Sequence, residues 1–180
     1  AIHARGAEVT IGRSLFTGNR ASVGVSNGSA IYAAQSAVTV ADSTFSDNSS
    51  SFEAPALSVV ESAMDLRRVT MVEPKLGVGA GITATGSVFS SPETDCGAGF
   101  VSGGYNVSSD ASCGAVGTDV VTGATTLDPL ASNGGPTQTH APSLDSPVID
   151  SIPVGTAGLC DASTPVDQRG VAVPQQRVVK

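Results

Sequence analysis

The sequence of 180 residues contains no tryptophan, few aromatic residues (4%) and few charged residues (14%). Its only two lysines are Lys75 and Lys180, and its net charge is −7. An acidic chain repels phosphate backbones, which disfavours nucleic-acid binding. No apolar run approaches the length of about 18 residues that a transmembrane helix needs, so no membrane span is predicted. Because 40% of the residues are apolar, the composition also argues against disorder.

The repeated part of the chain also lacks helical periodicity, since no unit shows a 3.6-residue apolar pattern over ten or more positions. Leucine-rich, ankyrin and helical repeats are therefore disfavoured. Short alternations such as Val9-Thr10-Ile11 and Val38-Thr39-Val40 instead have the period of two that is typical of strands. Gly, Asn, Asp and Ser, which tolerate tight turns, separate these runs.

Residues 1–89 repeat one pattern four times. Ile2, Val9 and Phe16 recur 29 residues later, a third copy follows after 26 residues, and a fourth follows after 18. Such a period predicts a solenoid in which each unit buries its apolar face against its neighbours. We therefore predict an all-β parallel β-helix with about five coils over residues 1–126. A β-sandwich of short strands is the alternative.

The predicted interior consists of two columns, to which each of the four copies contributes one residue. The columns are Val9, Val38, Met64 and Ile82, and Phe16, Phe45, Met71 and Phe89.

Several motifs carry a resemblance to known proteins. Phe16-Thr17-Gly18-Asn19 and Phe45-Ser46-Asp47-Asn48 are F-x-x-N motifs, and Gly28-Ser29-Ala30-Ile31 is similar to G-G-A-I. They resemble the repeats of polymorphic outer-membrane-type β-helix proteins, whose better-known members are adhesins.

The last third of the chain resembles the C-terminal signature of the choice-of-anchor Q family of bacterial surface β-helix proteins. The matching segments are Leu127-Asp128-Pro129-Leu130, Asn133-Gly134-Gly135-Pro136-Thr137, Thr139-His140, Ser146-Pro147-Val148-Ile149-Asp150 and Asp167-Gln168-Arg169-Gly170. The resemblance implies a right-handed parallel β-helix at the cell surface, and it implies no particular reaction.

The periodicity ends at Leu127, after which proline becomes frequent. We predict that residues 127–180 form a loop-rich cap over the last coil, because an uncovered β-helix end would be a template for strand pairing. Within this cap, Asp150, Asp167 and Arg169 are expected to form a buried charge-assisted network. A binding site is the alternative role for these three residues.

Cys96 and Cys113 flank the segment 102–107, as in the resembled family, and we predict a disulfide between them. Cys160 is left without a predicted partner. It would pair with a cysteine beyond the end of this chain, remain a free thiol or form an intermolecular disulfide. The chain opens in mid-repeat at Ala1, so we expect it to be a piece of a longer secreted protein.

Few residues in the sequence are candidates for catalysis or for ligand binding. In the coils, Arg67, Arg68 and Lys75 are the only basic cluster, and Asp65 is expected beside Arg67 on an outward strand face. A lyase needs a cation or arginine and a base, whereas a hydrolase needs grouped carboxylates. His3 and His140 lie at opposite ends of the solenoid without nearby ligands, so neither a metal nor a cofactor is predicted. The candidate ligand face comprises Thr39, Asp65, Arg67, Lys75 and Thr83.

These observations predict a non-catalytic, extracellular module with a structural or adhesive role on the bacterial surface. Its partner would be a protein or a glycan. The first coil, residues 1–11, is expected to leave an open edge through which upstream sequence or another copy could pair, giving end-to-end assembly into a filament. The alternative is a β-helix that binds or cleaves polysaccharide, as a lyase or a glycoside hydrolase.

Overall fold

A computed structural model describes residues 1–21, 28–50, 55–72, 81–92, 94–164 and 166–173. Within them the secondary structure is sixteen short strands and one 3-10 helix at Ala111–Cys113, which confirms the prediction of an all-β chain. The strands are β1 (Ile2–Arg5), β2 (Glu8–Gly12), β3 (Leu15–Thr17), β4 (Arg20–Ala21), β5 (Ile31–Ala34), β6 (Ala37–Ala41), β7 (Thr44–Ser46), β8 (Ser49–Ser50), β9 (Leu57–Val60), β10 (Ala63–Arg67), β11 (Thr70–Val72), β12 (Ile82–Thr85), β13 (Val88–Ser90), β14 (Phe100–Ser102), β15 (Val107–Ser108) and β16 (Val120–Val121).

These strands form three main sheets whose members come from successive repeats. Sheet A has the order β1-β5-β9, sheet B the order β2-β6-β10-β12-β14, and sheet C the order β3-β7-β11-β13-β15-β16. The short strands β4 and β8 form a fourth, two-stranded sheet. All twelve strand pairs in these sheets are parallel. The first repeat therefore supplies β1 to β4, the second β5 to β8, and the third β9 to β11.

The strand register aligns like residues of successive repeats. In sheet B the aligned inward residues are Val9, Val38, Met64, Ile82 and Phe100. In sheet C they are Phe16, Phe45, Met71, Phe89 and Ser108. The rings of Phe16 and Phe45 stack with centroids 4.7 Å apart, which is the spacing of adjacent strands. Sheet A adds a third column, Ile2, Ile31 and Leu57, which lay outside the two predicted columns.

One hydrophobic core joins the three sheets. Ile31 from sheet A, Met64 from sheet B and Phe45 from sheet C belong to the same buried cluster, and each is at most 1% exposed. Side chains of a strand alternate between its two faces, so each sheet directs every second residue into this cluster. Truncating such a fully buried side chain to alanine typically costs about 2–5 kcal/mol.

The corners between sheets share one backbone conformation. Gln35 and Glu61 have φ near +50° where the chain passes from sheet A to sheet B, and Asp42 and Arg68 do so between sheets B and C. The N–H groups of Gln35, Asp42 and Arg68 each donate to a carbonyl of the next repeat, as from Gln35 to Val60 at 3.0 Å. A single left-handed residue thus turns the chain without interrupting the inter-repeat hydrogen bonds.

Residues 127–173, which we name the strap, do not lie over the last repeat as predicted. The Gln168 side chain reaches the first repeat, where its Nε2 donates to the Ser14 carbonyl at 3.3 Å, and it accepts a 2.7 Å hydrogen bond from Thr44 in the second. Leu159 lies beside Gly86 in the fourth repeat, and Ser146 donates to the Thr125 carbonyl. The prediction of an end cap is therefore wrong, because the strap runs along the outside of sheet C past every repeat.

The residue pattern of sheet C explains why the strap lies along its outward face. Its outward residues are not uniformly polar, since Val88 and Val107 point away from the core and are nevertheless buried. Thr44, outward on β7, is only 1% exposed. A parallel sheet with apolar residues on both faces needs a second covering layer, which the strap supplies.

The predicted disulfide between Cys96 and Cys113 is confirmed. Cys160 is a free thiol in the described structure and is partly buried in the strap. Among the described residues, no helix has the length and apolar character that a membrane crossing requires.

Candidate functional site

The outward face of sheet B is the broadest strand surface that the strap leaves uncovered. Its central column places Thr10, Thr39, Asp65 and Thr83 side by side on β2, β6, β10 and β12. Thr10 and Thr39 are exposed, whereas Asp65 and Thr83 are partly exposed. Since the neighbouring outward residues include Ala37 and Ala63, the face is flat and carries mostly methyl and hydroxyl groups.

An ion pair marks the middle of this face. Arg67 Nε lies 2.7 Å from an Asp65 carboxylate oxygen, and the two side chains are 54% and 33% exposed. Residues two apart on a strand share a face, so β10 alone positions the pair. Together with Thr39, Thr83 and Thr85 it borders a shallow depression of about 380 Å³. Lys75, the fifth member of the predicted ligand face, lies outside the described residues.

The spacing of carboxylates on this face does not favour glycoside hydrolysis. Glu8 is the other acidic residue there, two strands and two residues away from Asp65. That offset separates their Cα positions by roughly 12 Å at ordinary strand spacings. Paired catalytic carboxylates stand about 5–5.5 Å apart in retaining enzymes and about 6.5–9.5 Å apart in inverting enzymes. Asp65 is moreover already bound to Arg67.

The predicted charge network in the C-terminal part exists only in part. Arg169 donates from Nε and Nη2 to one carboxylate oxygen of Asp167 at 2.9 and 2.7 Å, and these side chains are 36% and 28% exposed. Asp150 is exposed and makes no side-chain hydrogen bond to them among the described residues. The prediction of a buried three-residue network is therefore wrong, because Asp150 and the Asp167–Arg169 turn meet only at the border of a depression of about 420 Å³.

A more buried pair, which the sequence did not indicate, links the repeats to the strap. Arg68 donates from Nε and Nη2 to both carboxylate oxygens of Asp42 at 2.7 and 2.8 Å. Its Nη1 donates to the Gly158 carbonyl of the strap at 2.7 Å. The offset of 26 residues between the second and third repeats could have placed Asp42 beside Arg68. Nothing in the sequence marked Gly158 as the third partner.

His140 also joins the strap to the repeats. Its Nδ1 lies 2.8 Å from the Asp128 carbonyl and its Nε2 lies 3.0 Å from Ser46 Oγ. His3 lies in the first repeat, where its ring lies 4.7 Å from that of Tyr32 in the second. Because His140 contacts Ser46 of that same second repeat, the expectation that the two histidines lie at opposite ends of the solenoid is wrong. In the part of the chain that the structure describes, no three His, Cys, Asp or Glu residues group as a metal site would require.

Two further carboxylates, those of Asp95 and Asp110, lie beside the disulfide. Asp95 is fully buried and accepts hydrogen bonds from the backbone N–H groups of Ser109 and Asp110. Burial raises the pKa of Asp95, and these hydrogen bonds only partly oppose the shift. Burial also acts to raise the pKa of Asp110, but hydrogen bonds from Ser112 outweigh it and the pKa falls below its usual value. Both carboxylates hold their own loop, so we assign them a structural role.

Comparisons of the chain with protein-family models, with curated proteins and with solved structures found no match. The functional proposal therefore rests on the geometry of this chain and on the motifs in its sequence.

Proposed function

We propose that this chain is a right-handed parallel β-helix that serves as a non-catalytic, extracellular structural or adhesive module. One observation carries the proposal: successive repeats contribute strands in parallel register to three sheets around a single core. The chain passes through sheets A, B and C in the same order in each of its first three repeats, and this order supports the proposed solenoid. Its right-handedness and its place at a bacterial surface are implied by the resemblance to choice-of-anchor Q proteins.

The outward face of sheet B is the proposed contact surface. It is flat, mostly uncharged and held by a rigid core, so a partner would bind without much rearrangement of the module. Its exposed hydroxyl groups and the Asp65–Arg67 pair can hydrogen-bond to a protein or to a glycan. End-to-end assembly is part of the proposal: upstream sequence or another copy of the chain would pair with the edge strands of the first repeat.

Binding of the chain to arrays of surface glycans and to immobilised cell-surface proteins tests this proposal. A lysine in place of Thr39 would project from the centre of the sheet B face and should reduce binding about tenfold or more. The matched control is Ser58→Lys, which adds the same charge to the outward side of sheet A. Equal binding by both variants and the unchanged chain would show that sheet B is not the contact surface.

Polysaccharide is the second candidate ligand, because the shallow depression around Asp65 and Arg67 combines hydroxyl groups with a single cation. A panel of uronate polysaccharides, monitored for unsaturated products and for new reducing ends, separates binding from cleavage. We expect binding without turnover. Turnover that disappears in Arg67→Ala or Lys75→Ala would replace the proposed module with a lyase or a hydrolase.

A further inference from the structure

Residues 127–142 form an irregular antiparallel hairpin at the start of the strap. On its first arm, the Asp128 N–H donates to the Ala141 carbonyl of the second arm at 2.7 Å. His140 precedes Ala141, and its ring reaches back across the hairpin, so that Nδ1 lies 2.8 Å from the Asp128 carbonyl oxygen. The second arm therefore holds both the backbone N–H and the backbone C=O of Asp128.

The contacts of His140 determine which ring nitrogen carries the proton. A carbonyl oxygen can only accept, so Nδ1 is protonated and donates to the Asp128 carbonyl. Nε2 lies 3.0 Å from Oγ of Ser46 in β7, and that hydroxyl can donate to an unprotonated Nε2. The ring is thus held by the repeats on one side and directs an N–H at the Asp128 carbonyl on the other.

The carbonyl that accepts this hydrogen bond belongs to the only Asp–Pro peptide bond in the sequence, which joins Asp128 to Pro129. An aspartate carboxylate reaches its own carbonyl carbon by closing a five-membered ring, so no second residue is needed as nucleophile. Both residues are exposed, and among the described residues the Asp128 carboxylate accepts no hydrogen bond that would hold it away. The nitrogen of Pro129 carries no hydrogen, and it becomes a secondary amine when the bond breaks.

We propose that the chain cleaves itself between Asp128 and Pro129. A carboxylate oxygen of Asp128 attacks the Asp128 carbonyl carbon to form a C–O bond, and the carbonyl oxygen becomes an oxyanion that the His140 N–H stabilises. The C–N bond then breaks, and the proline nitrogen takes a proton from water. Water opens the resulting cyclic anhydride to two carboxylates, so the net reaction is hydrolysis that consumes one water molecule.

Cleavage divides the chain into the repeats, residues 1–128, and a separate strap. The strap stays bound, because Thr44 of the second repeat donates to Gln168 and Arg68 of the third donates to the Gly158 carbonyl, both at 2.7 Å. The nicked protein should therefore elute at the size of the intact chain and separate into two fragments only on denaturation. This reaction goes beyond the proposed function, because it is a single turnover on the chain itself and does not involve sheet B.

Intact-mass measurement of the purified chain during incubation at neutral pH tests the proposal. We expect first-order appearance of fragments 1–128 and 129–180 at a rate that does not depend on protein concentration. His140→Ala removes the hydrogen-bond donor and should slow cleavage about a hundredfold. Asp128→Glu keeps the charge but moves the carboxylate out of reach of a five-membered ring, and should slow cleavage about tenfold or more.

Matched controls make the same chemical changes elsewhere. Asp145→Glu alters another exposed aspartate of the strap, and His3→Ala removes the histidine of the first repeat. Both should be cleaved at the rate of the unchanged chain. Circular dichroism of all the variants separates loss of cleavage from loss of fold, and Asp128→Glu keeps the test decisive if His140→Ala unfolds.

Incubation in denaturing urea separates fold-dependent cleavage from the intrinsic lability of an Asp–Pro bond. Unfolding removes His140 from the Asp128 carbonyl, so the unfolded chain should be cleaved about a hundredfold more slowly than the folded chain. A folded chain that stays intact, or equal rates in the folded and unfolded chains, would overturn the proposal. Binding to the sheet B face is measured separately and would be unaffected by that result.

Discussion

Sheets B and C are built from the same repeats with the same parallel register, yet their outward faces have opposite environments. Thr39 and Thr44 illustrate the difference, because both point outward from the second repeat. Thr39 is exposed on sheet B, whereas Thr44 is 1% exposed beneath the strap and donates to Gln168 at 2.7 Å. Residue type alone therefore does not determine burial here. The covering layer determines it, because the strap covers the outward face of sheet C and leaves that of sheet B uncovered.

The largest expected difference comes from placing lysine at these two threonines. Thr44→Lys would bury a charge beneath the strap, and we expect it to lower the free energy of unfolding by at least about 3 kcal/mol. Thr39→Lys should change it by no more than about 0.5 kcal/mol, because the ammonium stays in water. Chemical denaturation of both variants measures the contrast. Similar losses in the two would show that sheet B is covered as well.

Two consecutive arginines give the next contrast. Arg68→Ala removes the partner of Asp42, whose side chain is only 14% exposed, and should cost about 2–4 kcal/mol. Arg67→Ala breaks only the exposed pair on sheet B and should cost about 0.5 kcal/mol or less. Denaturation midpoints of the two variants provide the measurement. A larger loss of stability in Arg67→Ala than in Arg68→Ala would contradict this, because it would mean that the exposed pair on sheet B contributes more than the Asp42–Arg68 pair.

The disulfide lies where the repeats end, so its removal should weaken both sheets together. Cys96→Ser with Cys113→Ser opens a loop of 17 residues and should cost about 3 kcal/mol by the loop-closure argument. We expect one cooperative unfolding transition at lower denaturant, with hydrogen exchange of sheets B and C accelerated equally. Faster exchange confined to sheet C would instead indicate that the disulfide stabilises only the strap and the sheet that the strap covers.

A smaller effect should follow from releasing one strap contact. Gln168→Ala removes hydrogen bonds to Thr44, Thr137 and Ser14 and should cost about 1–3 kcal/mol, with faster hydrogen exchange on the sheet C side. Gln35→Ala is the control, because Gln35 is exposed and its amide bonds only to Glu61 at 3.0 Å. Equal stability of the two variants would contradict the role of Gln168 in holding the strap.

The repeats could be predicted because their signal is local and recurs. A constant offset between Val9 and Val38 or between Phe16 and Phe45 is sufficient to align strands without any knowledge of the turns. The third sheet was missed although Ile2 and Ile31 showed the same offset, because four-residue strands with short alternation resemble connecting segments. The Cys96–Cys113 disulfide was predicted from the resemblance to a known family, in which two cysteines likewise flank the segment that corresponds to 102–107. In the strap, the sequence indicated the pairing of Asp167 with Arg169 but wrongly added Asp150 to it.

By itself, the sequence determined the all-β character, the parallel alignment of successive repeats and the residues of two interior columns. All of these follow from apolar periodicity, which acts between neighbouring repeats. Only the tertiary structure decided that the strap covers sheet C and leaves sheet B free. The strap has no repeat of its own, so its position depends on contacts such as those of Gln168 with Ser14 and Thr44, more than a hundred residues away. No local pattern in a single sequence encodes pairings of that range.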